Sequence, residues 1–250
     1  MDKLRNKVAI VTGASKGIGA SIAKYFAAEG AKVVVNYASS KEGADRVVKE
    51  ITDNGGIAIS VQADVSKEAD VTRLFEETNA AFGTLDILVN NAVFQQFLTV
   101  EQVSVETFHQ HFNVNVLGPI LTIQASLKLF GDKGGNIINI SSGASKMPLP
   151  AASLYSSTKA ALDAITISLS KELGAKNIRA NVVAPGPVET DFNNASIRNN
   201  PDMKARLAGL SPLNRVGRAD DIGAVIAFLC TEESALINGQ RLEVSGGING

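Results

Sequence analysis

Short apolar runs alternate with longer amphipathic stretches along most of the chain. The runs have the length of buried strands, so we predict strands at 7–12, 32–37, 57–62, 87–90, 136–141, 178–183 and about 241–244. The stretches between them are long enough for helices, among them 18–28, 41–53, 105–129 and 152–173. Strands that alternate with helices predict right-handed βαβ units and a parallel sheet that is covered on both faces.

The chain has 250 residues, a length that one α/β domain reaches without a second core. No linker, repeat or low-complexity segment divides it, and we predict a single domain over residues 1–250. The least regular stretch is 188–218, which contains several prolines and asparagines. We interpret it as a substrate loop or lid, because a loop of that length in a compact domain is usually functional.

Composition excludes several classes of partner. A formal net charge of -1 argues against nucleic acid and against an anionic membrane surface. The single cysteine, Cys230, lies in an apolar stretch, which excludes an internal disulfide framework and suits a reducing compartment. The N-terminus has no apolar signal core, and the sequence contains no apolar run that looks long enough to span a bilayer. These features predict a cytoplasmic protein.

The first predicted strand runs into a glycine-rich turn that opens a helix. Its glycines, Gly13, Gly17 and Gly19, have the spacing G-x-x-x-G-x-G. Glycines let the backbone approach a pyrophosphate, while a helix N-terminus offers free N–H donors and a positive dipole end. Such turns also use glycine for conformational reasons alone, but the position in the first βα unit favours a dinucleotide site.

Four polar residues are candidates for catalysis. Tyr155 and Lys159 lie four residues apart in a predicted helix and therefore share a face. Ser142 follows the strand 136–141, at the edge where parallel sheets bind ligands. Asn115 lies in an otherwise apolar helix, where an amide needs a partner. Each alone is typical of packing or local hydrogen bonding, but the set together indicates a catalytic site.

These motifs resemble those of the short-chain dehydrogenase/reductase family over essentially the whole chain. Among its members the chain is most similar to 3-oxoacyl-carrier-protein reductases and glucose dehydrogenase-like enzymes. The resemblance implies a single-domain Rossmann-type fold, a doubly wound parallel sheet of about seven strands with helices on both faces. It also implies a homotetramer that moves a hydride between a nicotinamide cofactor and an alcohol/carbonyl pair.

The resemblance gives each of the four residues a role. Tyr155 would act as the acid/base, and Lys159 would lower the pKa of Tyr155 because a nearby ammonium favours a phenolate. Lys159 would also bind the nicotinamide ribose. Ser142 would hold the substrate oxygen and stabilise charge that develops there. Asn115 would anchor a water that links Lys159 to solvent.

The predicted cofactor is NADP(H). NAD enzymes of this architecture end the second strand with an acidic residue that repels a 2′-phosphate, whereas here no carboxylate follows that strand before Glu42. Lys16 resembles the basic residue that faces the phosphate in NADP-binding relatives; the alternative is a solvent-exposed Lys16 and an enzyme that accepts both cofactors. The predicted cofactor contacts are Gly13, Ser15, Lys16, Gly17, Ile18, Gly19, Asn36, Tyr37, Ser39, Asp64, Val65, Asn91, Ala92, Tyr155, Lys159, Pro185, Gly186, Val188 and Thr190.

The predicted substrate contacts follow the fourth and fifth strands and are mainly apolar. They favour a 3-oxoacyl or similar apolar ketone, whereas a glucose or polyol dehydrogenase would need more polar groups there. A non-catalytic dinucleotide-sensing protein is a further alternative, although it should have lost Tyr155 or Lys159. An acyl carrier protein is a candidate partner, because Lys133 and Lys176 match basic positions of the similar reductases. The substrate residues are Val93, Phe94, Ser142, Met147, Leu149 and Tyr155.

Two further positions affect the interpretation. Val93 stands where the family usually has glycine, and a β-branched residue cannot adopt the φ values that glycine allows. We expect it either to reshape the nicotinamide pocket or the substrate mouth, or to be neutral. His109 and His111 are two residues apart on a helix, where side chains diverge, so no metal site is predicted.

Overall fold

The computed structural model describes residues 2–190 and 197–248. Its strands are β1 (Val8–Val11), β2 (Lys32–Tyr37), β3 (Ile57–Gln62), β4 (Ile87–Asn90), β5 (Gly135–Ile140), β6 (Ile178–Pro185), β7 (Val188–Glu189), β8 (Gly217–Arg218) and β9 (Arg241–Val244). Seven of them form one parallel sheet in the order β3-β2-β1-β4-β5-β6-β9, and β7 pairs with β8 apart from it. The predicted Rossmann-type fold class is confirmed.

Helices connect the strands on both sides of the sheet. In the described ranges they are α1 (Gly17–Ala28), α2 (Lys41–Asp53), α3 (Glu68–Phe82), α4 (Val105–Phe112), α5 (Gly118–Phe130), α6 (Ser153–Leu173), α7 (Pro201–Leu210) and α8 (Ala219–Leu229). A π-helical turn at Asn113–Leu117 joins α4 to α5, so the predicted helix 105–129 is continuous but not regular. Such turns occur frequently at functional sites.

The alternation of side chains along each strand divides the core into two clusters. Val33 and Val35 of β2 face a cluster built with α1, α2 and α8, whereas Val34 faces a cluster built with α3, α5 and α6. Because both faces are covered, the strands read as continuous apolar runs. This explains why their positions could be predicted closely.

One helical run, Val105–Lys133, is apolar and long enough to cross a membrane by length and composition. This differs from the expectation drawn from the sequence. Within the fold, α5 packs on α3 and places Ile123 and Phe130 in the core. A helix in the core of a soluble protein can have the same length and composition.

The stretch 188–218 is more ordered than its composition suggests. It contains β7, α7 and β8, and residues 191–196 lie outside the described part. Asn200 caps α7 by accepting a hydrogen bond from the Met203 backbone N–H at 3.0 Å, and Pro201 takes the first helical position. The α7 helix buries none of its residues and borders an open cavity.

Candidate active site

A cavity of about 1390 Å³ opens at the carboxyl ends of the strands. The order of the sheet reverses between β1 and β4, and such a switch point is where open α/β sheets bind ligands. Every predicted site residue borders this cavity except Tyr37 and Asn115. The structure therefore brings nearly all of the predicted residues together at one cavity.

The glycine turn brings the start of α1 to the cavity. Lys16 precedes the helix without a side-chain cap, and the first turn contains no acidic residue, so its backbone N–H groups can serve an anion. Gly17 has φ +59°, a conformation that side chains rarely adopt. A Cβ on Gly19 would lie 2.7 Å from the carbonyl oxygen of Gly13. Gly17 is thus favoured by its backbone conformation, and Gly19 by the close packing of the turn against the start of α1.

The end of β4 is tied to this turn by side-chain hydrogen bonds. Thr12 Oγ1 accepts from the backbone N–H groups of Asn91 and Ala92, at 2.9 and 3.0 Å. The Asn91 amide donates back to the carbonyl oxygens of Thr12 and Gly13, at 2.8 and 3.0 Å. The two loops that flank the switch point therefore form one rigid unit. Thr12 was not predicted as a site residue.

The end of β2 corrects one predicted cofactor contact, Tyr37, and gives the side chain of the other, Asn36, partners within the protein. Asn36 borders the cavity, but its Oδ1 accepts from Gly13 N–H and its amide donates to the carbonyl oxygens of Val61 and Ala63. Its side chain thus ties the glycine turn to β3. Tyr37 is buried in the core and does not border the cavity, because it points into the cluster with α1 and α2.

The residues that follow Tyr37 reach the cavity instead. Ala38, Ser39 and Ser40 are exposed and border it, and Lys16 stands exposed at the same rim. In the described part of the chain Lys16 makes no ion pair, whereas Lys41 is paired with Asp45. No carboxylate stands at this rim of the cavity between β2 and α2.

Ser142 and Tyr155 meet on the other side of the switch point. Ser142 follows β5 and caps the 3-10 turn Gly143–Ser145, with its hydroxyl accepting from Ala144 N–H at 3.2 Å. Tyr155 lies in the first turn of α6, and its hydroxyl forms a hydrogen bond with Ser142 that opposes the upward shift of the Tyr155 pKa. Burial is the larger effect and raises that pKa above its ordinary value.

Lys159 is buried beneath these two residues. Its ammonium donates to the carbonyl oxygen of Ile140 at 2.7 Å and lies 5.8 Å from the centre of the Tyr155 ring. Burial lowers the pKa of Lys159 to about 8, and the negative charge of Asp163 opposes that change. On balance burial raises the Tyr155 pKa, so the predicted fall of that pKa toward neutral pH is not seen in this geometry.

Known proteins of similar length resemble this chain in sequence and in architecture. Residues 13–249 match the family described as Enoyl-(Acyl carrier protein) reductase. An uncharacterised oxidoreductase of Methylorubrum extorquens is 48% identical over 99% of this chain and 100% of its own length. Versicolorin reductase of Emericella nidulans is 39% identical over 98% of this chain and 96% of its own length.

A solved short-chain dehydrogenase of Burkholderia cenocepacia, in complex with NADP, is 37% identical with a TM-score of 0.92. That similarity covers 99% of this chain and 100% of the other. The chain belongs to the short-chain dehydrogenase/reductase family. The resemblance seen in the glycine turn and in Ser142, Tyr155 and Lys159 is thus confirmed.

Asn115 has a supporting position in this family member. Its Oδ1 accepts from Phe94 N–H at 2.8 Å, and its amide donates to the carbonyl of Phe94 and to Thr158 Oγ1, at 2.8 and 3.0 Å. The side chain thus holds the loop after β4 against α6, from within the π-helical turn. Its role in a proton relay stays a prediction.

His111 anchors the same loop of the short-chain dehydrogenase/reductase and was not predicted to matter. Its Nε2 accepts from Gln96 N–H at 3.2 Å, and its Nδ1 lies 2.7 Å from the Thr107 carbonyl oxygen. The ring is fully buried and packs edge-on against Phe94. In the sequence nothing distinguished His111 from the exposed His109 two residues before it.

Val93 fits the loop without a left-handed backbone. The described residues with positive φ that are not glycine do not include it, so glycine is not required here. Its side chain borders the cavity beside Phe94. Val93 therefore needs no conformation that glycine alone allows, and its effect on the pocket stays a prediction.

One wall of the cavity is formed by α7, in a stretch that the sequence analysis interpreted as a loop or lid. Met203, Leu207 and Leu210 have the spacing i, i+4, i+7 and border the cavity together. This spacing, with Asn200 and Pro201 before it, was a signal for a capped amphipathic helix. Phe97, Met147 and Leu149 border the same cavity.

Proposed function

We propose that this protein is an NADP(H)-preferring carbonyl reductase that reduces bulky apolar ketones, with Tyr155 as the proton donor. The observation that carries the proposal is the meeting of Tyr155, Ser142 and Lys159 in one cavity, between a glycine turn and an apolar wall. The NADP complex of one relative and the reductase name of another support it.

The residues of the glycine turn fit a dinucleotide. The uncapped start of α1 supplies N–H donors for a pyrophosphate, and Gly17 and Gly19 border the cavity there without a side chain. Lys159, at the far end of the cavity, fits the ribose next to the nicotinamide. When bound, NADPH supplies the hydride that a ketone carbon accepts.

The preference for NADP(H) rests on charge at the rim beyond β2. Lys16 has no described ionic partner, and Ser39 and Ser40 offer hydroxyl and backbone donors beside it. A charged contact of this kind is worth about 1–3 kcal/mol, or roughly ten- to hundredfold in preference. Because the Asn36 side chain is used within the fold, Ser39 is the position at which a carboxylate would disfavour the phosphate.

The protonation states favour reduction. A raised pKa keeps the proton on the Tyr155 hydroxyl at neutral pH, so this group can donate it to the ketone oxygen. Ser142 donates a hydrogen bond to the same oxygen as negative charge develops there. Lys159 keeps positive charge near the phenol oxygen below a pH of about 8.

The walls of the substrate side favour an apolar ketone over a sugar. The cavity is bordered by Phe94, Phe97, Met147 and Leu149 together with apolar residues of α7, and a polyol would leave its hydroxyl groups without partners there. Lys133 and Lys176 precede β5 and β6, at the opposite edge of the sheet from the cavity. They do not favour a carrier protein at this cavity, and we propose a free ketone as substrate.

The test is a screen of NADPH oxidation with fused-ring ketones, β-ketoesters, 3-oxoacyl thioesters and sugars. We expect kcat/KM to be highest for a bulky ketone, and the NADPH/NADH ratio of kcat/KM to exceed one. Ser39→Asp and Lys16→Ala should each lower that ratio by about tenfold or more, because Ser39→Asp adds a charge that repels the phosphate and Lys16→Ala removes one that attracts it. Turnover of sugars alone, or a wild-type ratio below one, would contradict the proposal.

A further inference from the structure

A buried group of charges lies beneath the turn that carries Ser142. Arg241, the first residue of β9, pairs with Asp163 of α6 at an Nε–Oδ2 distance of 2.8 Å, and their side chains are only 9% and 14% exposed. Glu243 contacts the same guanidinium. Removing charges from water is unfavourable, so a charged pair at this place calls for a structural or functional reason.

Both members of the pair bind the turn Gly143–Ser145. Arg241 Nη2 donates to the carbonyl oxygen of Ser142 at 3.1 Å and to Ser145 Oγ at 3.0 Å. Ser145 Oγ donates in turn to Asp163 Oδ2 at 2.6 Å. Two other elements, α6 and β9, therefore fix the peptide that presents the Ser142 hydroxyl.

Asp163 also lies one helical turn beyond Lys159 on the same face of α6. On its own helix, the titratable neighbours of Lys159 are Tyr155 and Asp163. From β9, Arg241 pairs with Asp163 and also with Glu243. From β5, Lys159 meets the carbonyl of Ile140. The negative charge of Asp163 favours the protonated form of Lys159.

We propose that Asp163 and Arg241 are positioning residues for the reaction, which fix Ser142 and keep Lys159 charged. The proposal rests on the proposed function, because it concerns how Ser142 and Lys159 perform it. Neither Asp163 nor Arg241 borders the cavity, so both act through the residues that do. The arrangement joins the two halves of the chemistry, the hydroxyl and the ammonium, through one carboxylate.

The kinetic test compares Asp163→Asn and Arg241→Lys with a matched control, Arg179→Lys. Arg179 on β6 also holds backbone carbonyls, those of Ile237 and Leu229, both at 2.8 Å, but away from the cavity. We expect kcat of the first two variants to fall about tenfold or more, with the KM for the ketone changed less, because an oxygen-stabilising donor is misplaced. Arg179→Lys should lower Tm alone.

The second test needs no turnover. An NMR titration of the Lys159 side chain, assigned with Lys159→Arg, should give a midpoint lower by about one pH unit or more in Asp163→Asn, because an opposite charge has been removed. Asp163→Glu should keep the wild-type midpoint. If the wild type reduced no ketone, the proposed function would be wrong. This titration would still test whether Asp163 keeps Lys159 protonated.

Unchanged kcat and an unchanged Lys159 midpoint in folded Asp163→Asn would overturn the proposal. A lower Tm as the only effect would then make the pair purely structural. A lower kcat with a shifted midpoint, restored by Asp163→Glu, supports it.

Discussion

Burial sets the protonation of the two central residues of the cavity, Tyr155 and Lys159. The same loss of water raises the pKa of Tyr155 and lowers that of Lys159, because burial favours the neutral form of each group. Tyr155 then holds its proton over the whole physiological range, while Lys159 changes charge near pH 8. The pH dependence of the reaction should therefore report Lys159 and not Tyr155.

Tyr155→Phe should abolish reduction while leaving the NADPH Kd within about twofold, since it removes a proton donor and little else. General acid catalysis contributes roughly a hundred- to ten-thousandfold, so kcat should fall by about that factor. Steady-state kinetics and a fluorescence titration with NADPH measure the two quantities. A variant that kept a tenth of the wild-type kcat would end the assignment of Tyr155 as the proton donor.

Lys159→Met should lose activity and gain stability. The lowered pKa means that, between pH 8 and 10.5, the unfolded chain binds more protons than the folded protein, so this group makes stability rise with pH there. Below pH 8 the buried ammonium costs about 3 kcal/mol. We therefore expect a higher Tm than wild type at pH 7 and a smaller difference toward pH 10.

The control for this variant is Lys171→Met, an exposed lysine on the same helix. It should change neither kcat nor the pH dependence of Tm. If Lys159→Met melted below the wild type at pH 7, the buried ammonium would have to be counted as stabilising.

At the scale of elements, the strands could be predicted well from the sequence, whereas the helix in the stretch 188–218 could not. The strands β2, β3 and β4 begin and end at the predicted residues, because a strand buried on both faces is marked by its apolar run alone. The α7 helix has its apolar face toward a cavity and not toward the core, so its pattern is weak. Its prolines and asparagines, which in fact cap it, suggested a loop.

The candidate site divides in the same way. Glycines, Ser142, Tyr155 and Lys159 could be predicted because their chemistry fixes their type and spacing. The roles of Asn36 and Asp163 could not, because they depend on hydrogen bonds between elements that are distant in the sequence. Tyr37 was misplaced because its side chain points to the core at the last position of β2.

Leu207→Ala should raise the KM for a bulky ketone and leave the NADPH Kd unchanged, because Leu207 belongs to the apolar wall of α7. A large apolar contact of this kind is worth about 1–3 kcal/mol, or roughly ten- to a hundredfold in kcat/KM. Ala208→Ser, on the opposite side of α7, is the control. Equal KM values for Leu207→Ala and wild type would mean that α7 does not contact the ketone.

At the scale of the whole molecule, two helices leave apolar side chains uncovered. Phe108 of α4 and Ile167 of α6 are 40% and 42% exposed, on helices that pack against each other. We expect a homotetramer in which these helices pair across a two-fold axis. Light scattering should give four times the mass of the chain at micromolar concentration, and a monomer would contradict this.

Ile167→Asp should reduce that assembly to smaller species, because a buried unpaired carboxylate disfavours the interface. Leu210→Asp is the control, since Leu210 is 57% exposed but borders the cavity. The control should keep the wild-type mass while it impairs catalysis.

The reversal of strand order between β1 and β4 has a thermodynamic consequence. Residues after β1, β2 and β3 meet one half of the cavity, whereas Ser142, Tyr155 and the apolar wall meet the other. No described hydrogen bond or ion pair joins Ser39 to Leu207, so the free energies of changes at these two positions should be additive within about 0.5 kcal/mol. A Ser39→Asp, Leu207→Ala double variant should thus show the product of the two separate losses in kcat/KM. Mutations could then change the preference for the nicotinamide cofactor without changing the preference for the ketone, and the reverse.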